Sequence, residues 1–157
     1  VIYMKRQIKS FVNAFKGIFS AFGTEGHLRF HFVAAFFVLL FAYIGKFDPT
    51  QWAILILTIG GVFAAELINT AAELLCDLYS TENNPLIGKI KDIAAGAVLV
   101  SAVASIGVAC ALFVFNGKLA YICHRLIAHP IFFLPLGVCV VFSVLFILFG
   151  GHKSTKK

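Results

Sequence analysis

The chain has 157 residues, of which 61% are apolar and only 13% are charged, with a further 13 glycines and a mean hydropathy of +0.96. Disorder is excluded, because it needs low hydrophobicity and high charge. A soluble globule is excluded as well, because too few polar residues remain to cover its surface. A net charge of +6 points, in so apolar a chain, to basic loops and anionic lipid headgroups. Nucleic acid is not expected as a partner, since no basic run is interleaved with aromatic residues. Cys76, Cys110, Cys123 and Cys139 lack CxxC spacing and are expected to be buried small hydrophobes. No cleavable signal peptide is expected, and with Val1 first, Met4 is a candidate start.

In chain order, residues 5–24 place Ile8, Phe11, Val12, Phe15, Ile18, Phe19 and Phe22 at helical spacing, with Lys5, Arg6, Lys9 and Lys16 mostly elsewhere. This predicts a basic amphipathic helix, lying on the membrane surface or packed on other protein. Four apolar spans follow. The first, Phe32–Gly45, extends to Leu28–Phe47 if Arg29 and Lys46 snorkel, giving 20 residues and about 30 Å. Asp48-Pro49 marks a turn. The second span is Trp52–Cys76, the third Ile93–Gly117 and the fourth Pro130–Gly151, with Pro135 kinking or starting it. The predicted fold is an all-α polytopic membrane helical bundle behind an amphipathic surface helix. With both termini inside, ten Lys/Arg are inner and three (Lys46, Lys118, Arg125) are outer, which favours cytoplasmic termini. The small residues of the third span, among them Ala94, Gly96, Ser101 and Ser105, predict close helix packing.

The second span carries the chemistry. Glu66, Asn69, Glu73 and Asp77 fall within about 80° of one helix face at ~100° per residue. A carboxylate at membrane depth costs roughly 2.5–3.5 kcal/mol on insertion scales, a cost that folding does not require here. The loop Leu78–Lys91, turning at Asn83-Asn84-Pro85, brings Lys91 and Asp92 to the same membrane face. Glu25, Arg29 and His31 join it from the first span. Carboxylates hold Mg2+, which carries nucleotide phosphates, and cations offset charge on a transferring phosphoryl group. A carboxylate at membrane depth can take the proton of a lipid hydroxyl. The combination fits phosphoryl transfer from a soluble nucleotide to a lipid alcohol; an ion-coupled transporter or membrane scaffold is the rival reading. No Walker A motif is present, and Gly23-Thr24-Glu25-Gly26 is too short for a nucleotide loop.

The run Glu66-Leu67-Ile68-Asn69-Thr70-Ala71-Ala72-Glu73-Leu74-Leu75-Cys76-Asp77 resembles the ExxNTAxExxxD signature of the small integral-membrane prokaryotic diacylglycerol kinases. Lys91-Asp92 with Ile93-Ala94-Ala95-Gly96-Ala97-Val98, and Lys16-Gly17 followed by Glu25, Arg29 and His31, resemble the same family. The resemblance covers about residues 5–117 and implies a kinase domain at 1–120, leaving 121–157 as an extra transmembrane helix and basic cytoplasmic tail. It implies that Glu66 is the general base for the lipid hydroxyl. Glu25 and Glu73 would hold Mg2+ on the ATP phosphates. Asn69, Asp77, Lys91 and Asp92 would contact the nucleotide, together with Arg6, Lys9 and Lys16 on the surface helix. Arg29 and His31 would serve the lipid substrate beside Glu66. A homotrimer in the plasma membrane, with sites between subunits, is also implied. Arg29-Phe30-His31 lacks the acid usual in the diacylglycerol branch and resembles the undecaprenol kinase branch, as do Asn69-Thr70-Ala71 and Asn84-Pro85-Leu86. The fourth span and its Lys153, Lys156 and Lys157 depart from the three-span pattern. His124 and His129, spaced i,i+5, are expected to be surface residues.

Overall fold

The structure, a computed structural model, describes residues 2–79 and 84–151. Lys153, Lys156, Lys157 and Asn83 of the sequence reading lie outside the described residues. The chain folds as α1 (Ile2–Thr24), α2 (Gly26–Ile44), α3 (Pro49–Tyr79), α4 (Pro85–Ala109), α5 (Lys118–Ala128) and α6 (Phe133–Phe149). α4 continues as a π-helix over Cys110–Phe115, and a 3-10 turn, Pro130–Phe132, leads into α6. The bundle is all-helical among the described residues. Among the described residues, four helical stretches are long and apolar enough to span a membrane: Gly26–Ile44, Pro49–Tyr79, Pro85–Phe115 and Pro130–Phe149.

Each boundary has a local cause. Between α1 and α2, Glu25 takes an extended backbone (φ −99°, ψ 115°). Arg29 then donates from Nη1 to the carbonyls of Phe22 at 2.8 Å and Gly23 at 3.4 Å, satisfying groups that the end of α1 leaves open. At the opposite end, Asp48 caps α3 by accepting from the N–H of Thr50 and Gln51, while Gln51 Oε1 accepts from Asp48 N–H. That reciprocal pair is a capping box, with Pro49 at the first helical position where its missing N–H costs nothing. Gly117 (φ +68°) makes the left-handed turn between the π-helix and α5.

Three expectations are corrected. The third span does not begin near Ile93: its helix starts at Pro85, capped by Asn84 Oδ1 accepting Leu86 N–H at 2.9 Å. Lys91 and Asp92 therefore stand on a helix, not in a loop. The connection between the third and fourth spans also contains a helix, α5, whose Leu119, Ile122 and Leu126 recur at helical spacing and whose Ile122 is buried. Of the cysteines only Cys76 is buried; Cys110 and Cys123 are exposed and Cys139 is intermediate. His124 and His129 are exposed, as expected. Pro135 lies in the first turn of α6 and so starts it without a kink.

α3 and α4 pack along most of their length. The half-covered face of α4 runs through Ala94, Val98, Ser101, Ser105 and Val108, small residues that let the two helices approach. A core of Ala42, Phe47, Leu55 and Leu112 closes the bundle near the α2–α3 turn, with Phe47 and Phe113 rings 4.8 Å apart. α6 lies against α2 through Phe32 and Phe146 (6.1 Å between rings) and buries none of its own residues. α1 leaves Ile8, Phe11, Phe15 and Phe19 exposed and docks only at its C-terminal end, where Phe22 meets Phe32 and Phe63. Its apolar face is not covered by this chain, so it is open to a membrane surface or to other protein.

Candidate active site

Thirty-one residues at ~1.5 Å make α3 about 46 Å long, well beyond a ~30 Å hydrocarbon core. Glu66 lies about 26 Å from its Pro49 end and Asp77 about 42 Å, so a ~30 Å core measured from that end takes in Glu66 and leaves Asp77 beyond it.

Each group on the stripe meets a different partner. Glu66 is only 4% exposed, and its Oε1 lies 3.0 Å from His31 Nε2 on α2. A carboxylate can only accept here, so Nε2–H donates. One turn on, Thr70 Oγ1 donates to the Glu66 carbonyl at 3.0 Å. Asn69 Nδ2 donates to Glu73 Oε1 at 2.9 Å, while its own Oδ1 is buried with no partner. Asp77 reaches α4, where Lys91 Nζ bonds its Oδ1 at 2.6 Å. These two contacts, His31–Glu66 and Lys91–Asp77, are the ion pairs among the described residues.

The remaining residues named from the sequence lie around this line. Glu25 is half-buried at the α1–α2 joint and makes no capping hydrogen bond. Asp92 is exposed on α4, and Arg6, Lys9 and Lys16 are exposed on α1. Arg29 is 8% exposed, its guanidinium held by the α1 carbonyls and closed over by Gly151, where a Cβ would stand 2.8 Å from Nη2. It ties α1 to α2, with Nε unpartnered. Two open spaces border the stripe. A cavity of about 210 Å3 between α2, α3 and α4 begins at His31 and continues along Ala34, Val38, Leu55, Ile59 and Ser105. A cleft of about 450 Å3 separates α1, at Gly17 and Ala21, from α3, at Thr70 and Leu74.

No group of three His, Cys, Asp or Glu side chains among the described residues could hold a metal. Mg2+ does not require one, since it keeps its waters and is commonly held by one or two carboxylates plus substrate phosphates. Among the described residues neither Glu25 nor Glu73 forms an ion pair, and each is a carboxylate of the kind that requirement calls for.

Residues 12–113 match the family described as prokaryotic diacylglycerol kinase. The chain belongs to this family. It is a membrane lipid kinase by descent, with α5 and α6 outside the matched residues. Among its relatives, the undecaprenol kinase of Bacillus subtilis (strain 168) is 43% identical over 102 residues, 65% of this chain and 83% of that protein. A diacylglycerol kinase of Synechocystis is 37% identical over 98 residues, covering 62% of this chain and 56% of the relative. One from Helicobacter pylori (strain J99) is 34% identical over 97 residues, covering 61% and 75%. The prokaryotic diacylglycerol kinases thus match this chain from α1 into the π-helix, which includes every residue named above from Lys16 to Asp92. The transporter and scaffold readings are accordingly set aside.

The sequence pointed to His31 and Glu66 separately but not to their contact. The cavity beside His31 and the Arg29–Gly151 closure were also absent from it, since all three join residues from different helices.

Proposed function

We propose that the chain transfers the γ-phosphoryl group of Mg-ATP to the hydroxyl of undecaprenol, giving undecaprenyl phosphate. The observation that carries the reading is the buried Glu66 carboxylate, paired with His31, which itself lines one end of a largely apolar cavity. An undecaprenol chain has no polar group except its terminal hydroxyl, so a largely apolar cavity with His31, the partner of Glu66, at its edge suits it. The 43% identity to an undecaprenol kinase, above that to the two diacylglycerol kinases, supports the same substrate.

In this mechanism Glu66 accepts the proton of the lipid hydroxyl as its oxygen attacks phosphorus and the bond to ADP breaks. His31 is a positioning residue: its N–H fixes the carboxylate rotamer and offsets part of the cost of a buried charge. Glu25 and Glu73 would hold the metal, with Asn69 setting the Glu73 rotamer. Bound Mg2+ would neutralise charge on the transferring phosphoryl and orient it. Asn69 Oδ1, Asp77, Lys91, Asp92, Arg6, Lys9 and Lys16 contact the nucleotide. Arg29 acts through the α1–α2 joint, setting where Glu25 and His31 stand. We further infer a homotrimer in the plasma membrane with both termini cytoplasmic, residues 1–120 forming the kinase domain and 121–157 an added helix and tail. The exposed face of α3 through Leu57, Gly61, Ala64, Ile68, Ala71 and Leu75 alternates steps of four and three, a spacing suited to a second helix with small residues at the contact.

Purified protein with labelled ATP is tested against undecaprenol and diacylglycerol side by side. Labelled undecaprenyl phosphate in excess is the expected result. A preference for diacylglycerol would reassign the substrate, and no labelled lipid from either would end the proposal. His31→Ala should lower kcat by about tenfold to a hundredfold, the worth of one hydrogen bond to a charged group. His31→Gln, which keeps an N–H, should retain most of the rate. Parent-like turnover in His31→Ala would remove His31 from the mechanism.

A further inference from the structure

The end of the bundle opposite the stripe carries the three outer cations, and they converge. Lys46 ends the α2 turn in a left-handed backbone (φ +50°), a conformation that costs about 1 kcal/mol for a residue with a Cβ. Lys118 donates from Nζ to the Lys46 carbonyl at 3.1 Å and lies over the Phe47 ring at 5.8 Å. Ile122 of α5 presses on Gly45, where a Cβ would stand 3.1 Å from Ile122 Cδ1. α5 is therefore fastened to the α2–α3 turn, and this brings Arg125 to the same opening as Lys46. Together with Tyr43, Ile44, Leu126 and Phe132 they line a cavity of about 280 Å3.

The electrostatics are one-sided. Asp48 is the one acid of this turn, and its Oδ1 is taken by the cap of α3. Among the described residues no carboxylate pairs with Lys46, Lys118 or Arg125. Arg125 Nη1 donates to Tyr121 Oη at 2.8 Å, and that bond draws the phenol below its ordinary pKa, leaving its O–H a strong donor. Ile44, Leu126 and Phe132 supply an apolar wall beside the charges, with Phe132 at the start of Pro130–Phe149, a stretch long and apolar enough to span a membrane. A soluble anion would find cations but no use for that wall. A lipid phosphate would use both.

We propose that Lys46 and Arg125 form a binding site for the phosphate headgroup of an anionic lipid, on the membrane face opposite the kinase site. The site depends on α5, outside the residues matched to the family.

Native mass spectrometry of the full chain, purified in detergent and titrated with phosphatidylglycerol, phosphatidylcholine or inorganic phosphate, tests this. Phosphatidylglycerol should be retained in preference to phosphatidylcholine. Lys46→Gln and Arg125→Gln should each reduce that preference about fivefold, as expected for one cation near a headgroup, with lipid phosphorylation unchanged. Lys89→Gln, which removes the same charge from α4 at the opposite end, should leave it unaltered. Equal effects of all three substitutions, or no effect of the first two, would overturn the site. Displacement of the lipid by excess inorganic phosphate would overturn the lipid as its occupant. The same spectra count subunits.

Discussion

Glu66→Gln is expected to abolish lipid phosphorylation while leaving the fold and ATP binding intact. The substitution keeps the side chain's shape and an oxygen that still accepts from His31, so the α2–α3 contact survives. Removing a buried charge while its partner remains satisfied is not a folding penalty. What disappears is the acceptor for the hydroxyl proton, and loss of a positioned general base costs about 10²–10⁴ in rate. Turnover is measured with labelled ATP and solubilised undecaprenol, and nucleotide affinity by equilibrium binding. A variant within tenfold of the parent rate would show that Glu66 is not the base. Loss of nucleotide binding alongside turnover would place it at the phosphates instead.

The second large effect belongs to Glu73. Glu73→Gln should lower kcat/KM at fixed Mg2+ by about 100-fold or more, beyond the usual loss when a residue that only orients a metal ligand is changed. Raising Mg2+ should restore part of the rate, because a weakened metal site can be filled by mass action. Asn69 bonds Glu73 Oε1, and a glutamine at 73 still offers an oxygen to that N–H, so the helix is undisturbed. A loss that no Mg2+ concentration relieves would separate Glu73 from the metal and assign it a structural part with Asn69.

The acid stripe was legible in the sequence because one helix determines it: 3.6 residues per turn puts Glu66, Asn69, Glu73 and Asp77 on one face whatever surrounds them. The four spans were legible for a similar reason, since hydrocarbon demands long apolar stretches. The start of α4 was misplaced because Asn84-Pro85 carries chemistry common to turns and helix N-termini; an Asx side chain accepting a nearby N–H serves either. α5 was missed because the segment between Gly117 and Pro130 is short and carries strong breaker signals at both ends, while its apolar stripe is only three residues long. The outer cations were counted one by one for orientation, with nothing to show that they meet.

The amino-acid order alone thus settled that this chain crosses a membrane as helices and that one of them carries carboxylates inward. These are consequences of local periodicity and of solvent, which act on each segment separately. Tertiary structure decided which groups touch: His31 with Glu66, Lys91 with Asp77, Arg29 with the end of α1, and Lys46 with Arg125 around one opening. Those contacts depend on the rotation and depth of each helix against its neighbours. Packing of small residues and fastening of turns set these quantities, and no single segment encodes them.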